Sequence, residues 1–223
     1  MASGEYPSYT LRYFNMIGRA EACRLLLTAA KVKWTEEHPE WPQEKEKQPF
    51  GHLPVLIEKR TDGSELVLSE SSTIERFLAR TYGFLPLDPT QSAIQEQIRD
   101  QQWDVINAFI FVIKVHGDED KKSGMDRFND LFNRMVKVHM SILDANTNKK
   151  HLFGDKLSFA DISLYGFYKI TAIHFLQFRE DACELTKAKV TPEILSLLAS
   201  IEAEPLLKNH FEKCESLVAK LSD

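Results

Sequence analysis

The sequence predicts an α/β domain followed by an all-α domain. Strand and helix patterns alternate in the first third of the 223 residues, whereas long amphipathic runs fill the remainder. Between them lies the segment 83–91 (GFLPLDPTQ), which contains two prolines and has no hydrophobic period. We therefore expect a first domain over residues 1–83, a linker over 84–91 and a helical domain over 92–223.

The first domain is predicted to contain four short strands and two helices. Strands are expected where β-forming residues cluster or alternate, at residues 9–14, 32–37, 54–59 and 65–68. The last two form a hairpin around the turn at Asp62-Gly63. Helices are expected where apolar residues recur at helical spacing, at residues 18–31 and 71–82. The segment 38–50, with three prolines and several charges, is predicted to be an exposed loop.

The second domain is predicted to consist of long helical runs at residues 92–116, 125–146, 158–176 and 191–221, the last interrupted at Pro205. Thr191 is expected to cap a helix that has Pro192 at its first position. Ser158 and Asp161 have the spacing of a capping box. The charged run 118–122 (DEDKK) is expected to be a solvated loop.

Composition and charge exclude several classes of protein. A net charge of −5 and a pI of about 5.8 argue against a general nucleic-acid binder, which needs a basic face. Three scattered cysteines favour reduced thiols over a disulfide framework. Seven histidines show no metal-ligand spacing, and neither a signal peptide nor a membrane span is recognisable. We expect a cytoplasmic protein that uses no metal and contacts no membrane.

Tyr13 is the first candidate for a catalytic group. It lies near the end of the first predicted strand, and ligands of open α/β sheets favour the crevice beyond the carboxyl ends of the strands. The following loop, 15–18, contains no serine or cysteine, so Tyr13 is the hydroxyl in position to stabilise a nucleophile there. Taken alone, Tyr13 could also be a strand tyrosine packed against a helix. Cys23, inside the first helix, is interpreted as a small core residue.

Leu53-Pro54 and Glu70-Ser71 offer groups suited to an α-amino acid. A cis bond before Pro54 would expose the backbone N–H and C=O of Leu53 to an extended ligand. Free N–H groups at the start of the helix near Ser71 favour a carboxylate, and Glu70 could pair with an ammonium group. Together these residues predict a site for an amino-acid ligand.

The chain resembles the cytosolic glutathione transferases over nearly its whole length. Five segments carry the resemblance, in order: RYFNMIGRAEACRLLL, EWPQEK, FGHLPVL, ESSTIERFLAR and GDKLSFADISL. The resemblance implies a thioredoxin-like first domain, an all-helical second domain and usually a homodimer. It is closest to the sigma and alpha classes, which use a tyrosine. Two residues depart from the pattern: Ile17 replaces a basic residue and Glu70 replaces the usual glutamine.

The resemblance also implies roles for individual residues. Tyr13 takes the position of the catalytic tyrosine, with Arg19 as the nearby cation. The implied glutathione-binding residues are Tyr13, Trp41, Lys45, Leu53, Pro54, Glu70, Ser71 and Asp104. Asp104 would reach the glutathione of the partner subunit, and Phe50 matches an aromatic key at the dimer interface. The electrophile pocket is expected among Met16, Phe109, Ile113, His116, Leu217 and Leu221, positions that could equally be core.

Alternatives remain for three of these residues. Trp41 could simply cover its loop, and Lys45 could be an ordinary surface lysine. Arg19 could pair with Glu21 or Asp104 in a structural role.

The expected chemistry depends on ionising a thiol. A free thiol has a pKa near 8.5, so only a small fraction is thiolate at pH 7. A tyrosine hydroxyl that lowers the pKa of glutathione by about two units contributes roughly 2.7 kcal/mol and leaves most of it ionised. The thiolate would then attack small hydrophobic electrophiles, as in detoxification. Glutathione is the expected co-substrate, and no permanently bound cofactor is expected.

Four other functions are weighed against conjugation. A glutathione-dependent isomerase or peroxidase would use the same thiolate, and a non-catalytic binding or structural protein could share the fold. A thiol–disulfide oxidoreductase is disfavoured because no cysteine stands at the start of the first helix.

Overall fold

The structure is a computed structural model that describes residues 7–148, 150–178, 189–214 and 216–222, with the backbone alone for 172–178. Cys183, one of the cysteines expected to be reduced, lies outside the described residues.

A four-stranded mixed sheet forms the first part of the molecule. Its strands are β1 (Ser8–Arg12), β2 (Lys33–Glu37), β3 (Val55–Lys59) and β4 (Glu65–Ser69). The order across the sheet is β2-β1-β3-β4, with β1 parallel to β2 and antiparallel to β3, and β3 antiparallel to β4. Helix α1 (Glu21–Ala29) connects β1 to β2, and α2 (Ser71–Thr81) follows β4. This is the predicted thioredoxin-like arrangement.

From Pro89 onward, the regular elements of the described chain are helices. They are α3 (Pro89–Lys114), α4 (Asp118–Ala145), α5 (Phe159–Phe178), α6 (Pro192–Glu202), α7 (Lys208–Phe211) and α8 (Leu217–Ser222). The predicted loop 38–50 contains one short 3-10 turn, Lys45–Lys47. The combination of a mixed sheet with an all-helical second part confirms the predicted fold class.

Helix α1 is buried on nearly all sides. The consecutive residues Leu25, Leu26 and Leu27 are all fully buried, although successive helical side chains point in directions about 100° apart. The reason is that α1 packs against α2 on one side and against α5 on another. Cys23 is fully buried in the same helix, which confirms its predicted place in the core.

Two predicted helix starts are confirmed. Thr191 Oγ1 accepts a hydrogen bond from the backbone N–H of Ile194 at 3.4 Å, at the start of α6. At the start of α5, the Ser158 backbone N–H and hydroxyl donate to Asp161 Oδ2 at 2.9 and 2.6 Å. The other carboxylate oxygen of Asp161 accepts from the N–H of Leu152 at 2.7 Å, which ties the preceding segment to the helix.

The prediction of a loop at residues 118–122 is wrong. These residues form the first turns of α4, which begins at Asp118 directly after Gly117. Three acidic residues at a helix N-terminus interact favourably with the helix dipole, so the charged run starts a helix instead of interrupting one. The solvent exposure that the prediction assumed is correct for Asp118, Glu119 and Asp120.

Helix α3 begins inside the segment predicted as the linker. Pro89 is its first residue, and Asp88 Oδ1 caps it by accepting from the N–H of Gln91 at 2.8 Å. The division into domains at residues 84–91 remains a prediction. Among the described helices, none combines the length and the apolar character that a membrane crossing requires.

The imidazole of His139, on α4, is a buried polar group without a hydrogen-bond partner among the described residues. It is 1% exposed, and neither ring nitrogen has a hydrogen-bond partner in the described part of the chain. Burial lowers the pKa of His139 to about 4, because the apolar surroundings disfavour the charged imidazolium.

We expect His139 to make the protein less stable in mild acid. The unfolded chain takes up a proton at this residue near pH 6.5, whereas the folded chain does so only near pH 4. The free energy of unfolding should therefore fall by about 2 kcal/mol between pH 7 and pH 5 through this residue. Urea denaturation of the wild type and His139→Leu at both pH values measures the difference. His116→Leu, at an exposed histidine, is the control; equal pH dependence in all three chains would contradict the assignment.

Candidate functional site

Tyr13 directly follows β1, and both of its backbone polar groups are held. Its N–H donates to the carbonyl of Glu37 at 3.0 Å, which extends the pairing of β1 with β2 by one residue. Its carbonyl accepts from Nδ1 of His38 at 3.0 Å. The ring packs edge-on against Phe14, with centroids 5.4 Å apart. These contacts fix the side chain at the carboxyl end of the strand.

The Tyr13 hydroxyl faces the backbone at the start of α1. Its oxygen accepts a hydrogen bond from the N–H of Arg19 at 3.0 Å. Gly18 makes this approach possible, since a methyl group at that position would lie 2.6 Å from the hydroxyl oxygen. Burial raises the pKa of Tyr13 above its usual value of about 10, against the lowering effect of the Arg19 hydrogen bond. At neutral pH the hydroxyl therefore keeps its proton, and that proton is available to a ligand.

An apolar cavity of about 260 Å³ opens beside this hydroxyl. Its lining residues are Tyr13, Met16, Gly18, Arg19, Trp103, Ile106, Phe109, Ile110, Ile113 and Ile170. The structure thus brings Met16, Phe109 and Ile113, three of the residues predicted for an electrophile pocket, next to Tyr13. A cavity with one hydroxyl and mostly hydrocarbon walls suits an apolar small molecule.

A second, polar cavity of about 150 Å³ also has Arg19 in its lining. Its lining residues are Arg19, His52, Leu53, Pro54, Glu70 and Ser71. The Leu53-Pro54 peptide bond is cis, as expected from the sequence. Glu70 has φ of 71° and directly precedes α2, a strained conformation for a residue with a side chain. Arg19 lines both cavities, so the two are neighbours.

A buried ion pair contacts one lining residue of each cavity. Arg99 of α3 bonds both carboxylate oxygens of Glu75 on α2, at 2.6 and 3.0 Å, with side chains 5% and 4% exposed. Arg99 also donates to the Ser71 hydroxyl at 3.3 Å. The guanidinium groups of Arg19 and Arg99 both lie over the Trp103 ring, with their Cζ atoms 4.8 and 4.9 Å from its centroid. Arg19 therefore interacts with Trp103, whereas Glu21 pairs with other basic side chains, those of Arg24, Lys169 and His210.

Four of the predicted residues lie outside both cavities. Trp41 is half-buried and packs edge-on against Phe14, with ring centroids 5.4 Å apart. Lys45 is exposed at the start of the 3-10 turn, and Asp104 is exposed on α3. Phe50, a large apolar side chain, is 68% exposed to solvent in the single chain. Within the described residues, the structure thus does not gather these four around Tyr13.

Three residues predicted for the electrophile pocket are elsewhere. His116 lies two residues after the end of α3 and is exposed, outside the cavity lining. Leu217 is 2% exposed because α8 packs against α6, and Leu221 of the same helix is buried too. The residues that the sequence interpretation missed are Gly18, Trp103, Ile106, Ile110, Ile170 and His52. Ile106 and Ile110 share helical spacing with Phe109 and Ile113, and that periodicity was the available signal.

The described residues contain no group of three or more histidine, cysteine, aspartate or glutamate side chains arranged to hold a metal ion.

Comparison with protein families identifies the chain. Residues 9–80 match the N-terminal domain of glutathione S-transferases, and residues 104–214 match their C-terminal domain. The protein therefore belongs to the glutathione S-transferase family, a family that uses glutathione as co-substrate.

Individual relatives include a prostaglandin D synthase, an S-crystallin and a glutathione S-transferase. The chain is 29% identical to hematopoietic prostaglandin D synthase of Gallus gallus over 211 residues, which cover 93% of this chain and 96% of that protein. It is 28% identical to S-crystallin SL11 of Nototodarus sloanii, over 93% of this chain and 97% of that protein. A glutathione S-transferase structure of Caenorhabditis elegans superposes with a TM-score of 0.72 at 27% identity, covering 93% of this chain and 98% of that one.

We expect the Arg99–Glu75 pair to be important for stability. Arg99→Met leaves the Glu75 carboxyl buried without its partner, which should lower the free energy of unfolding by about 3–5 kcal/mol. The double variant Arg99→Met/Glu75→Leu should be more stable than Arg99→Met alone. Arg134→Met removes an exposed pair with Asp130 and should cost less than about 1 kcal/mol. Urea denaturation measures all three, and a loss in Arg99→Met no larger than in Arg134→Met would contradict the role.

Proposed function

We propose that this protein is a glutathione transferase in which Tyr13 stabilises the thiolate of glutathione. One observation carries the proposal: the Tyr13 oxygen accepts the N–H of Arg19, so the hydroxyl proton is free to be donated toward the neighbouring cavities. The raised pKa of Tyr13 supports the same role, because a hydroxyl that stays protonated donates to an anion.

Glutathione would lie along the polar cavity with its sulfur at Tyr13. The γ-glutamyl carboxylate fits Ser71 and the free N–H groups at the start of α2, and the ammonium group fits Glu70. The backbone of Leu53, before Pro54, is available to the middle of the tripeptide. The roles of Trp41 and Lys45 at its glycine end are part of the proposal. Because Arg19 borders both cavities, its positive charge would favour the thiolate where they meet.

The proposed reaction is a substitution or addition at an electrophilic carbon. The thiol proton passes to solvent, and the Tyr13 hydroxyl donates a hydrogen bond to the sulfur anion. The sulfur forms a bond to a carbon held in the apolar cavity, and with an aryl halide the halide departs with the bonding electron pair. No residue has to protonate a good leaving group, so stabilising the thiolate is the main contribution of the protein.

Replacing the hydroxyl tests this mechanism directly. Tyr13→Phe should lower kcat/KM for glutathione and a chlorodinitrobenzene-type electrophile about 10- to 100-fold at pH 7, since a hydrogen bond to a charged group is worth about 1.5–3 kcal/mol. The pH profile should move upward by about one to two units, because less of the bound thiol is ionised.

Tyr168→Phe is the matched control for this variant. Its hydroxyl is buried without a hydrogen-bond partner among the described residues, so its loss should leave turnover unchanged. A folded Tyr13→Phe chain as active as the wild type would refute the role of Tyr13. A folded wild type without turnover would favour a binding protein.

Gly18→Ala should impair the same step without removing the hydroxyl. The added methyl group would displace the Tyr13 oxygen, which lies only 2.6 Å from its position, and we expect kcat/KM to fall at least about tenfold. Gly166→Ala is the control, because a methyl there meets Ala22 at an ordinary 3.6 Å. Steady-state kinetics on both variants measure the effect; equal activity would show that the close approach is not required.

The named relatives suggest two other candidate functions. The similarity to a prostaglandin D synthase favours isomerisation of an endoperoxide with the same thiolate, and the similarity to an S-crystallin favours a structural role. Turnover of an aryl halide, an organic peroxide and an endoperoxide, compared on one preparation, distinguishes conjugation, peroxidase and isomerase activity. Binding of apolar anions without turnover of any of the three favours the structural role.

The dimer and the cellular role are also part of the proposal. Phe50, exposed on the single chain, would insert into a second copy, and Asp104 would contact the glutathione of that copy. We propose a cytoplasmic detoxification enzyme closest to the sigma and alpha classes.

A further inference from the structure

A cysteine outside the Tyr13 site lies among basic side chains. Cys214 follows α7, and its Sγ is 3.7 Å from Nζ of Lys169 on α5 and 4.0 Å from Nε2 of His210 on α7. Lys169 and His210 both contact Oε1 of Glu21 on α1, at 2.7 and 3.0 Å. The thiol thus belongs to a cluster of four side chains from three helices and the segment after α7.

With His210 protonated, the charged groups in and beside this cluster have a net positive charge, which favours one more anion. Arg24 bonds Glu36 and Glu21, and Lys169 bonds Glu21, so two basic groups face two carboxylates. A protonated His210 shares Glu21 with these groups and lies 3.3 Å from Nζ of Lys169, so it adds a third positive charge against two carboxylates, 4.0 Å from the Cys214 sulfur. A thiolate at Cys214 neutralises it.

The titration of the groups agrees with this charge balance. Although burial opposes it, the contacts with Cys214 and Glu21 raise the pKa of His210. The contact with His210 and the charge of Lys169 lower the pKa of the Cys214 thiol, against the effect of its partial burial. Nearby, Tyr165 of α5 donates to Glu202 of α6 at 2.9 Å, and burial together with the negative charge of Glu202 raises the pKa of Tyr165, which keeps it neutral.

We propose that Cys214 is a nucleophilic thiol that forms mixed disulfides with small disulfides such as glutathione disulfide. The geometry that supports this is a half-buried sulfur within reach of solvent and in contact with an imidazole and an ammonium group. Reactive cysteines occupy such electropositive, partly exposed positions, whereas fully buried ones are inert. No part of this site overlaps the cavities beside Tyr13, so the proposal does not depend on the transferase mechanism.

The reaction is a thiol–disulfide exchange. The Cys214 proton resides on His210, and the sulfur anion attacks one sulfur of the disulfide. A new S–S bond forms as the old one breaks, and the other half leaves as a thiolate with the bonding electron pair. Cys214 is oxidised and the leaving sulfur is reduced, so the small disulfide is the oxidant.

Cys23 provides an internal comparison. It is fully buried in α1, and burial raises the pKa of its thiol well above the usual value. Cys23 should therefore not react while the chain is folded. Cys183 lies outside the described residues, and replacing it by serine leaves one buried and one half-buried thiol to compare.

The experiment uses the full chain carrying Cys183→Ser. Incubation with glutathione disulfide at pH 7, followed by peptide mapping with mass spectrometry, should find the mixed disulfide on Cys214 and not on Cys23. Alkylation by iodoacetamide as a function of pH should give a half-maximal rate for Cys214 below the usual thiol pKa of about 8.5. With His210→Gln this midpoint should move upward, and the rate at pH 7 should fall about tenfold for each unit of the shift.

His116→Gln, at an exposed histidine outside the cluster, should leave the midpoint where it is. Circular dichroism verifies that each variant is folded. A midpoint at or above 8.5 in the parent chain, or no mixed disulfide on Cys214, would overturn the proposal, and this holds even if His210→Gln does not fold. An unchanged midpoint in folded His210→Gln would overturn it as well.

Discussion

The buried pair of Arg99 and Glu75 is the interaction on which both cavities depend. It joins α3 to α2 with hydrogen bonds of 2.6 and 3.0 Å between two buried side chains. From there Arg99 reaches the hydroxyl of Ser71 on one side and the ring of Trp103 on the other. The start of α2 and the wall formed by α3 are therefore positioned by one guanidinium.

A second buried ion pair joins α1 to α5. Lys169 of α5 bonds Glu21, which directly follows the loop that holds Gly18 and Arg19. The contacts with His210 and Lys169 outweigh burial and lower the pKa of Glu21 to about 2, so its carboxylate is charged at every physiological pH. Apolar packing alone tolerates small displacements, whereas a buried charge without its partner is costly. Both ion pairs therefore specify one placement of the helical part against the sheet.

Much of the fold and part of the site were accessible from the sequence. Strands, caps and the order of elements follow from short-range patterns, and the position of Tyr13 directly after a strand places it in the lining of a cavity. The pairing of Arg99 with Glu75 was not accessible, because 24 residues separate them and only the tertiary structure brings them together. Leu217 was misplaced for the same reason: an apolar residue in a terminal helix does not reveal whether it faces a ligand or another helix. The run 118–122 shows that charge predicts exposure without predicting backbone conformation.

The hydroxyl group beside the apolar cavity and the apolar walls of that cavity come from separate parts of the chain. The hydroxyl and the glycine that admits it belong to the loop after β1, whereas Ile106, Ile110 and Ile113 come from one face of α3. Substitutions along that face alter the volume offered to a second molecule and leave the hydrogen bond between Arg19 and Tyr13 intact. The shape of the apolar cavity can therefore change one helical turn at a time, while the hydroxyl group at its edge keeps its position.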